Sequence, residues 1–248
     1  LSDETIKYFK LGFSSSSKQT LYQFLKEQNF EDKELLESNV VKLDKNNKIR
    51  DFFYNRLMFP ITNEYGKIVG FGGRVLDNSN PKYINSPESD FFKKRNILYN
   101  LFNAKQTIRS KKNMLICEGY MDVISLYDKN IKTAVAPLGT SLTESHLILS
   151  WKYVSKPTLM FDGDTSGLKA SFKSAVMSLP YLTPSKLLQF IILPNQYDPD
   201  TYINEFSLNE FAKYLKNPLS IVDFIFEESS KSIDLTMSDN KIIFDNYI

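Results

Sequence analysis

The chain's 248 residues suffice for one large domain or two smaller ones, and 42% hydrophobic content with 19 Phe and 14 Tyr supplies ample cores. One Cys and one His exclude a disulfide framework and a structural zinc site built from a single chain. The net charge of +2 hides an uneven spread: residues 45–112 hold 14 Lys and Arg against 5 Asp and Glu, which is +9 and leaves −7 for the rest.

A basic half beside an acidic half suggests a polyanion lying on one and cations held by the other, though an ordinary solvated surface gives the same count. No apolar run approaches a membrane span and no signal-peptide pattern opens the chain, so a cytoplasmic protein without a membrane partner is expected. Leu1 stands in place of an initiator Met, and the expectation is a piece of a longer protein.

Ser2 before Asp3-Glu4 predicts a helix start, carried by Ile6 and Phe9 toward a stop near Gly12. Residues 14–17 read as a polar loop, 18–28 as an amphipathic helix and 31–38 as a short one, and none carries chemistry. From Val40 the pattern becomes extended. Residues 41–43 and 49–53 around a turn at Asn46-Asn47 suggest one hairpin, and 56–61 and 68–75 around a turn at 63–66 suggest another. Gly70, Gly72 and Gly73 put three glycines in four positions, which marks a bulge or a backbone that something approaches closely. Their spacing matches neither the dinucleotide nor the P-loop motif.

Prolines at both ends keep 81–87 from forming a regular helix, so Lys82, Tyr83 and Asn85 are presented in a constrained loop. Lys93-Lys94-Arg95 follow, with Phe91, Phe92 and Tyr99 interleaved. Cations that contact phosphates beside aromatics that stack on bases suit single-stranded nucleic acid, while each aromatic alone is more often core. Residues 98–109 are helical by spacing.

The second half alternates strands at 114–117, 132–136, 158–161 and 187–193 with helices at 122–128, 143–153 and 166–179. Short links between them imply a parallel sheet with right-handed crossovers. Helices over 206–215 and 221–227 follow, and 231–248 reads as a partly ordered tail or truncated helix.

Three acidic clusters sit just past these strands: Glu118 with Asp122, Asp162-Gly163-Asp164, and Asp198-Pro199-Asp200. That is the carboxyl edge, where open α/β sheets bind ligands. Carboxylates gathered there repel one another unless cations neutralise them, and Mg²⁺ or Mn²⁺ prefers oxygen donors. Asp162 and Asp164 alternate along an extended segment and are expected to point the same way. Taken singly, an Asp-x-Asp is better explained by turn residues or a helix cap, and it is three acidic clusters at successive strand ends that shift the reading toward function. Glu118, abutting a buried strand, has no such explanation and suits a metal ligand or general base. Backbone N–H groups and hydroxyls of residues 138–141 would suit a phosphate, with Thr140 or Ser141 as helix cap the plainer reading. His146 and Cys117 are expected to be structural, which disfavours Ser-His-Asp and thiol chemistry.

Glu118-Gly119-Tyr120-Met121-Asp122-Val123, Leu138-Gly139-Thr140, Asp162-Gly163-Asp164 with Gly167, and Asp198-Pro199-Asp200 resemble the Toprim core of bacterial replicative primases of the DnaG type. Arg56 with 58–61, 70–74 and 81–88 agree, and the resemblance runs from about residue 2 to 227. It implies an α/β chain, α+β overall: a basic mixed lobe over 1–112, a Toprim lobe with a parallel sheet over 113–199, and a shortened helical part over 200–248. The implied activity is that of a DNA-dependent RNA polymerase making short RNA primers on single-stranded DNA from ribonucleoside triphosphates, by two-metal nucleotidyl transfer with Mg²⁺ or Mn²⁺.

On the family pattern Glu118, Asp162 and Asp164 are catalytic and hold the metals, with Asp122, Asp198 and Asp200 in support. Arg74, Lys82, Tyr83, Asn85 and Lys94, with Gly139 and Thr140, would bind template and nucleotide. Zinc belongs to an upstream module and the replicative helicase to a carboxy-terminal domain, both expected outside this chain, and the core is expected to be a monomer. Arg95 and Asn100 stand where the family often has glycines, which puts the local loop geometry in question. A Toprim nuclease or topoisomerase and a non-catalytic single-strand-binding module are the alternatives.

Overall fold

The computed structural model describes residues 1–15, 20–139 and 141–231. The end of the polar loop and the first residues of the following helix, the Thr140 ligand assignment, and the expected tail beyond Lys231 therefore lie outside the described residues.

The first half runs α1 (Asp3–Phe9), β1 (Gly12–Ser14), α2 (Leu21–Glu27), α3 (Asp32–Glu37), the hairpin β2 (Val41–Leu43) and β3 (Ile49–Asp51), then β4 (Arg56–Thr62), β5 (Ile68–Val75) and β6 (Tyr83–Asn85). Both expected hairpins form, with Val41 opposite Asp51 and Phe59 opposite Gly72. The larger one is the centre of an antiparallel sheet in the order β1-β4-β5-β6. Its irregularity falls at Ile61/Thr62 rather than in the glycine run. Neither three-residue edge strand was foreseen, since such segments exist only because a neighbouring backbone offers partners.

What approaches the glycine run is internal. A Cβ on Gly72 would lie 2.7 Å from the Tyr120 ring, so that position must stay bare for the two halves to close. The Tyr120 ring in turn stacks on Phe59 at 4.8 Å and meets Tyr99 edge-on at 4.7 Å.

Helix α4 (Leu101–Lys111) starts later than its spacing suggests, because Tyr99 bridges to Ala136 and Asn100 adopts φ +67°. Asn is among the few non-glycine residues at ease in that region, and its Nδ2 donates to the Ala134 carbonyl at 3.0 Å. Asn100 thus keeps a left-handed corner without a glycine, and Arg95 sits in a short 3₁₀ turn (Lys94–Asn96).

The second half continues β7 (Leu115–Ile116), α5 (Tyr120–Asp128), β8 (Ala134–Val135), α6 (Glu144–Trp151), β9 (Thr158–Leu159), α7 (Thr165–Ser178), β10 (Gln189–Phe190), α8 (Pro199–Glu205), α9 (Leu208–Lys216), β11 (Leu219–Ser220) and α10 (Ile221–Lys231). The four expected strands are present and mutually parallel in the order β10-β9-β7-β8, shorter than their apolar runs. Antiparallel β11 and helix α8 were not foreseen. Pro199 at the first turn of α8, behind the Asp198 cap, is a helix start that reads equally well as a turn. Thr143, rather than Thr140 or Ser141, caps α6. Among the described residues no helix is long and apolar enough to cross a membrane.

Candidate active site

Strands β7 and β9 are buried throughout, with Thr158 their one polar residue, and carboxylates begin just past their ends, on one sheet edge. Glu118 follows β7 and Asp162 follows β9, and the Asp162 N–H donates to Glu118 Oε1 at 3.2 Å. Asp122 lies in the first turn of α5, where its Oδ2 accepts the Gly119 N–H at 2.9 Å. Asp198 and Asp200 arrive from the start of α8, and the Asp200 carboxylate is held by the Ser125 hydroxyl and, at 2.9 Å, by Asn204 Nδ2.

These carboxylates and Asp164 do not behave alike. Asp198 spends an oxygen on the Thr201 N–H at 2.6 Å, and Asp164 spends one on the Gly167 N–H at 2.7 Å, so both are helix caps. The expected common direction of Asp162 and Asp164 is not kept: a bend at Gly163–Asp164 interrupts the extended backbone, and Asp162 lines the cleft whereas Asp164 does not. Asp162 is the exception in another sense. Its Oδ1 is buried and has no hydrogen-bond partner. A buried carboxylate oxygen without a partner is costly unless a cation or proton supplies one.

The electrostatics follow. Burial first, then the charges of Glu118, Asp198 and Asp164, push the Asp162 carboxyl up to about 7. Glu118 is raised by burial and by Asp164 and Asp198, against the lowering effect of its bond from Asp162. Asp122 is pushed well above the carboxylate range by burial, Asp162 and Asp198. The donors are all oxygens, which suits a hard divalent cation in kind. Among the described residues no three of them stand together in a ready-made coordination group.

The opposite wall is basic. Arg74, Lys82, Tyr83 and Asn85 from β5, β6 and the loop between them face Glu118, Asp122, Asp162, Asp198 and Asp200 across a cleft of about 300 Å³. Buried Arg56 donates to the carbonyls of Gly73 at 3.3 Å, Pro81 at 3.0 Å and Lys82 at 3.3 Å, and thereby fixes that wall. The Arg74 guanidinium lies 5.5 Å from the Tyr83 ring centroid. Gly139 closes one end of the cleft at φ +65°.

Lys94 is not part of this lining. Its ammonium lies 5.9 Å from the Phe92 ring centroid, while its carbonyl accepts from buried His146 Nε2 at 3.0 Å. His146 thereby ties the Lys94 turn to α6, as a structural residue does. Cys117 is fully buried and its thiol is pushed up by that burial, so it is inert. The residues that sequence reasoning missed are Arg56 as a fixing group and Tyr120. Their signal was a charged residue inside an apolar strand and an aromatic inside an acidic motif.

Residues 1–105 match the family described as "DNA primase catalytic core, N-terminal domain", and residues 112–185 match the "Toprim domain" family. The chain is 39% identical over 241 residues to the DNA primase of Buchnera aphidicola, covering 97% of this chain and 42% of that protein. It therefore spans about two fifths of the length of the curated relatives it matches. Among solved structures it is similar to a DnaG primase catalytic domain bound to single-stranded DNA (33% identity, TM-score 0.88, covering 100% of this chain and 80% of that one). It is also similar to the Escherichia coli primase catalytic core (34% identity, TM-score 0.87, 99% and 79%).

Proposed function

Because this chain belongs to the DnaG primase family, we propose that it is the RNA polymerase core of a bacterial replicative primase, making short RNA primers on single-stranded DNA. The observation that carries the reading is the orphaned, buried Asp162 oxygen at the floor of a cleft whose other wall is cationic. In this reading residues 1–112 guide template and nucleotide, 113–199 carry the chemistry, and 200–248 begin a helical part. Glu118 and Asp162 would hold Mg²⁺ or Mn²⁺, with Asp164 adding its charge from beside the cleft and Asp122, Asp198 and Asp200 in support. A bound divalent cation supplies neutralisation of the triphosphate and a lowered proton affinity for the attacking hydroxyl.

The chain's own groups do the rest. Arg74 and Lys82 contact phosphates from the basic wall, as fixed charges whose geometry Arg56 holds. Asp162, raised to about 7 by its surroundings, takes up a proton as pH falls below neutral, and a bound cation would take that proton's place. Of the three aromatics beside the basic run, Phe92 and Tyr99 are buried and Phe91 is 83% exposed, so stacking on template bases falls to Phe91. Among the described residues the Lys93 and Arg95 side chains have no ion-pair partner and are free to meet phosphates. Lys94 would serve from beside that surface. The same family membership supports a zinc-bearing module upstream, helicase contact through a downstream domain, monomeric action and a cytoplasmic setting.

The test is to incubate the chain with single-stranded template, ribonucleotides and Mg²⁺ or Mn²⁺ and resolve the products on a gel. Primer is expected from wild type and lost in Asp162→Ala and Glu118→Ala. Product that persists in both variants would sink the assignment. Strand cleavage without nucleotides would indicate a Toprim nuclease or topoisomerase, and template binding indifferent to metal a passive binding module.

A further inference from the structure

A hydrogen-bonded chain crosses between the two sheets beside the cleft, and the reading above makes Asn85 within it a simple ligand. Tyr120 is 5% exposed, with its ring held between Phe59, Tyr99 and the bare backbone of Gly72. Its hydroxyl donates to Asn85 Oδ1 at 2.6 Å. Asn85 Nδ2 in turn donates to the Leu138 carbonyl at 3.0 Å. The Asn85 amide thus makes one bond through its oxygen and one through its nitrogen inside the protein, and these two fix its orientation.

The far end of the chain is the turn that faces the cleft. Leu138 is fully buried, and Gly139 follows at φ +65° on the cleft wall. A Cβ on Gly139 would lie 3.1 Å from Asn85 Nδ2, so the turn is moulded directly against that amide. Tyr120 and Asn85 are 35 residues apart, and Asn85 and Leu138 are 53 apart, so nothing local holds this geometry.

We propose that Tyr120 and Asn85 are positioning residues: a strut from α5 through β6 that fixes the Leu138–Gly139 turn on the wall of the cleft that would take the incoming ribonucleotide. They would set nucleotide affinity without touching the reacting atoms. The inference rests on the primer-synthesis reading for its substrate, and on distances alone for the strut.

The experiment uses Tyr120→Phe, Asn85→Ala, Asn85→Asp and the Tyr120→Phe/Asn85→Ala pair in the whole chain. With nine glycines, [¹⁵N]glycine labelling gives a tractable spectrum in which the order parameter of Gly139 is read without any substrate. KM and kcat for ribonucleotides are measured on single-stranded template. Each single variant should lower the Gly139 order parameter from about 0.85 toward 0.6. Each should also raise KM by about 5- to 30-fold, the range expected for one lost buried partner, with kcat within about threefold. Asn85→Asp keeps an acceptor for Tyr120 but loses the donor to Leu138, and should match Asn85→Ala. The double variant should be no worse than the worse single, because one strut is broken once.

An unchanged Gly139 order parameter with unchanged KM overturns the strut, as does an additive double variant. Primer made by wild type together with that result leaves the primase reading intact. A mobile Gly139 in each variant, in a chain whose wild type makes no primer, upholds the strut and sinks the primase reading instead.

Discussion

Helix α5 carries a carboxylate near each end, and the two have opposite fates. Asp128 closes the C-terminal end, where the helix dipole disfavours a negative charge, yet its carboxyl is pulled down to about 2. The cause is three donors on one oxygen: the Ser2 and Thr5 hydroxyls at 2.6 Å each and the Ser2 N–H at 3.0 Å, which staple α1 to α5. Asp122 sits in the first turn, where the dipole favours it and the Gly119 N–H caps it, yet it is pushed well up. A dipole worth about 0.3–1 kcal/mol loses to burial among like charges. One end of the helix is arranged for stability. The other is held among like charges in an arrangement that destabilises the fold.

The largest test of that contrast removes a charge that crowds Asp122, by Asp162→Asn. Primer synthesis should fall by about 10³-fold or more if Asp162 holds the metals. The same substitution should stabilise the cation-free chain by about 1–3 kcal/mol in urea unfolding at pH 8, after discounting for the solvent that reaches this half-buried group. The sign follows from the raised carboxyl. A folded value of about 7 above the ordinary range gives stability that is full below about pH 4 and lost as pH rises through about 7. The advantage of the Asn variant should therefore grow between pH 5 and 8. A variant less stable than wild type at pH 8 would mean that the like charge Asp162 adds beside Asp122 does not destabilise the fold.

Asp128→Asn should do the reverse, costing about 1–2 kcal/mol with primer synthesis unchanged. A folded value of about 2 lies below the ordinary range, so its stability is present above about pH 4 and lost as pH falls toward 2. The difference between wild type and variant should be flat from pH 5 to 8 and shrink below 4. Loss of activity there would mean that α1 reports to the cleft.

The smallest effect concerns the basic surface. Phe91→Ala should weaken template binding by about 1 kcal/mol and leave its salt dependence alone, whereas Lys93→Ala should flatten the salt slope by about 1. Fluorescence anisotropy against salt concentration separates the two, and identical behaviour of both variants would remove the stacking assignment.

Much of this was readable along the chain. Apolar runs ending in Glu118 and Asp162 gave the parallel strands and the acidic edge, because burial on both faces leaves no alternation and polarity returns only where the strand stops. The hairpins were legible from turns at Asn47, with φ +56°, and Gly66, with φ +83°. Edge strands β1, β6 and β11 were not, since two or three residues carry no period of their own. The chain of Asp-x-Asp spacings also misled: a bend at Gly163–Asp164 turned one of an apparently equivalent pair into the cap of α7.

The sequence by itself determined the kind of chemistry, oxygen donors at successive strand ends facing a basic half, because residue type and strand length are local properties. Only the tertiary structure decided which group does which work. It left Asp162 Oδ1 without a partner, anchored the Asn85 amide at both its oxygen and its nitrogen, buried Phe92 and exposed Phe91. Each of those outcomes depends on hydrogen-bond partners and neighbours far along the chain, 35 to 53 residues away for Asn85 and 44 for the bond that joins Asp162 to Glu118, and no local pattern carries that information.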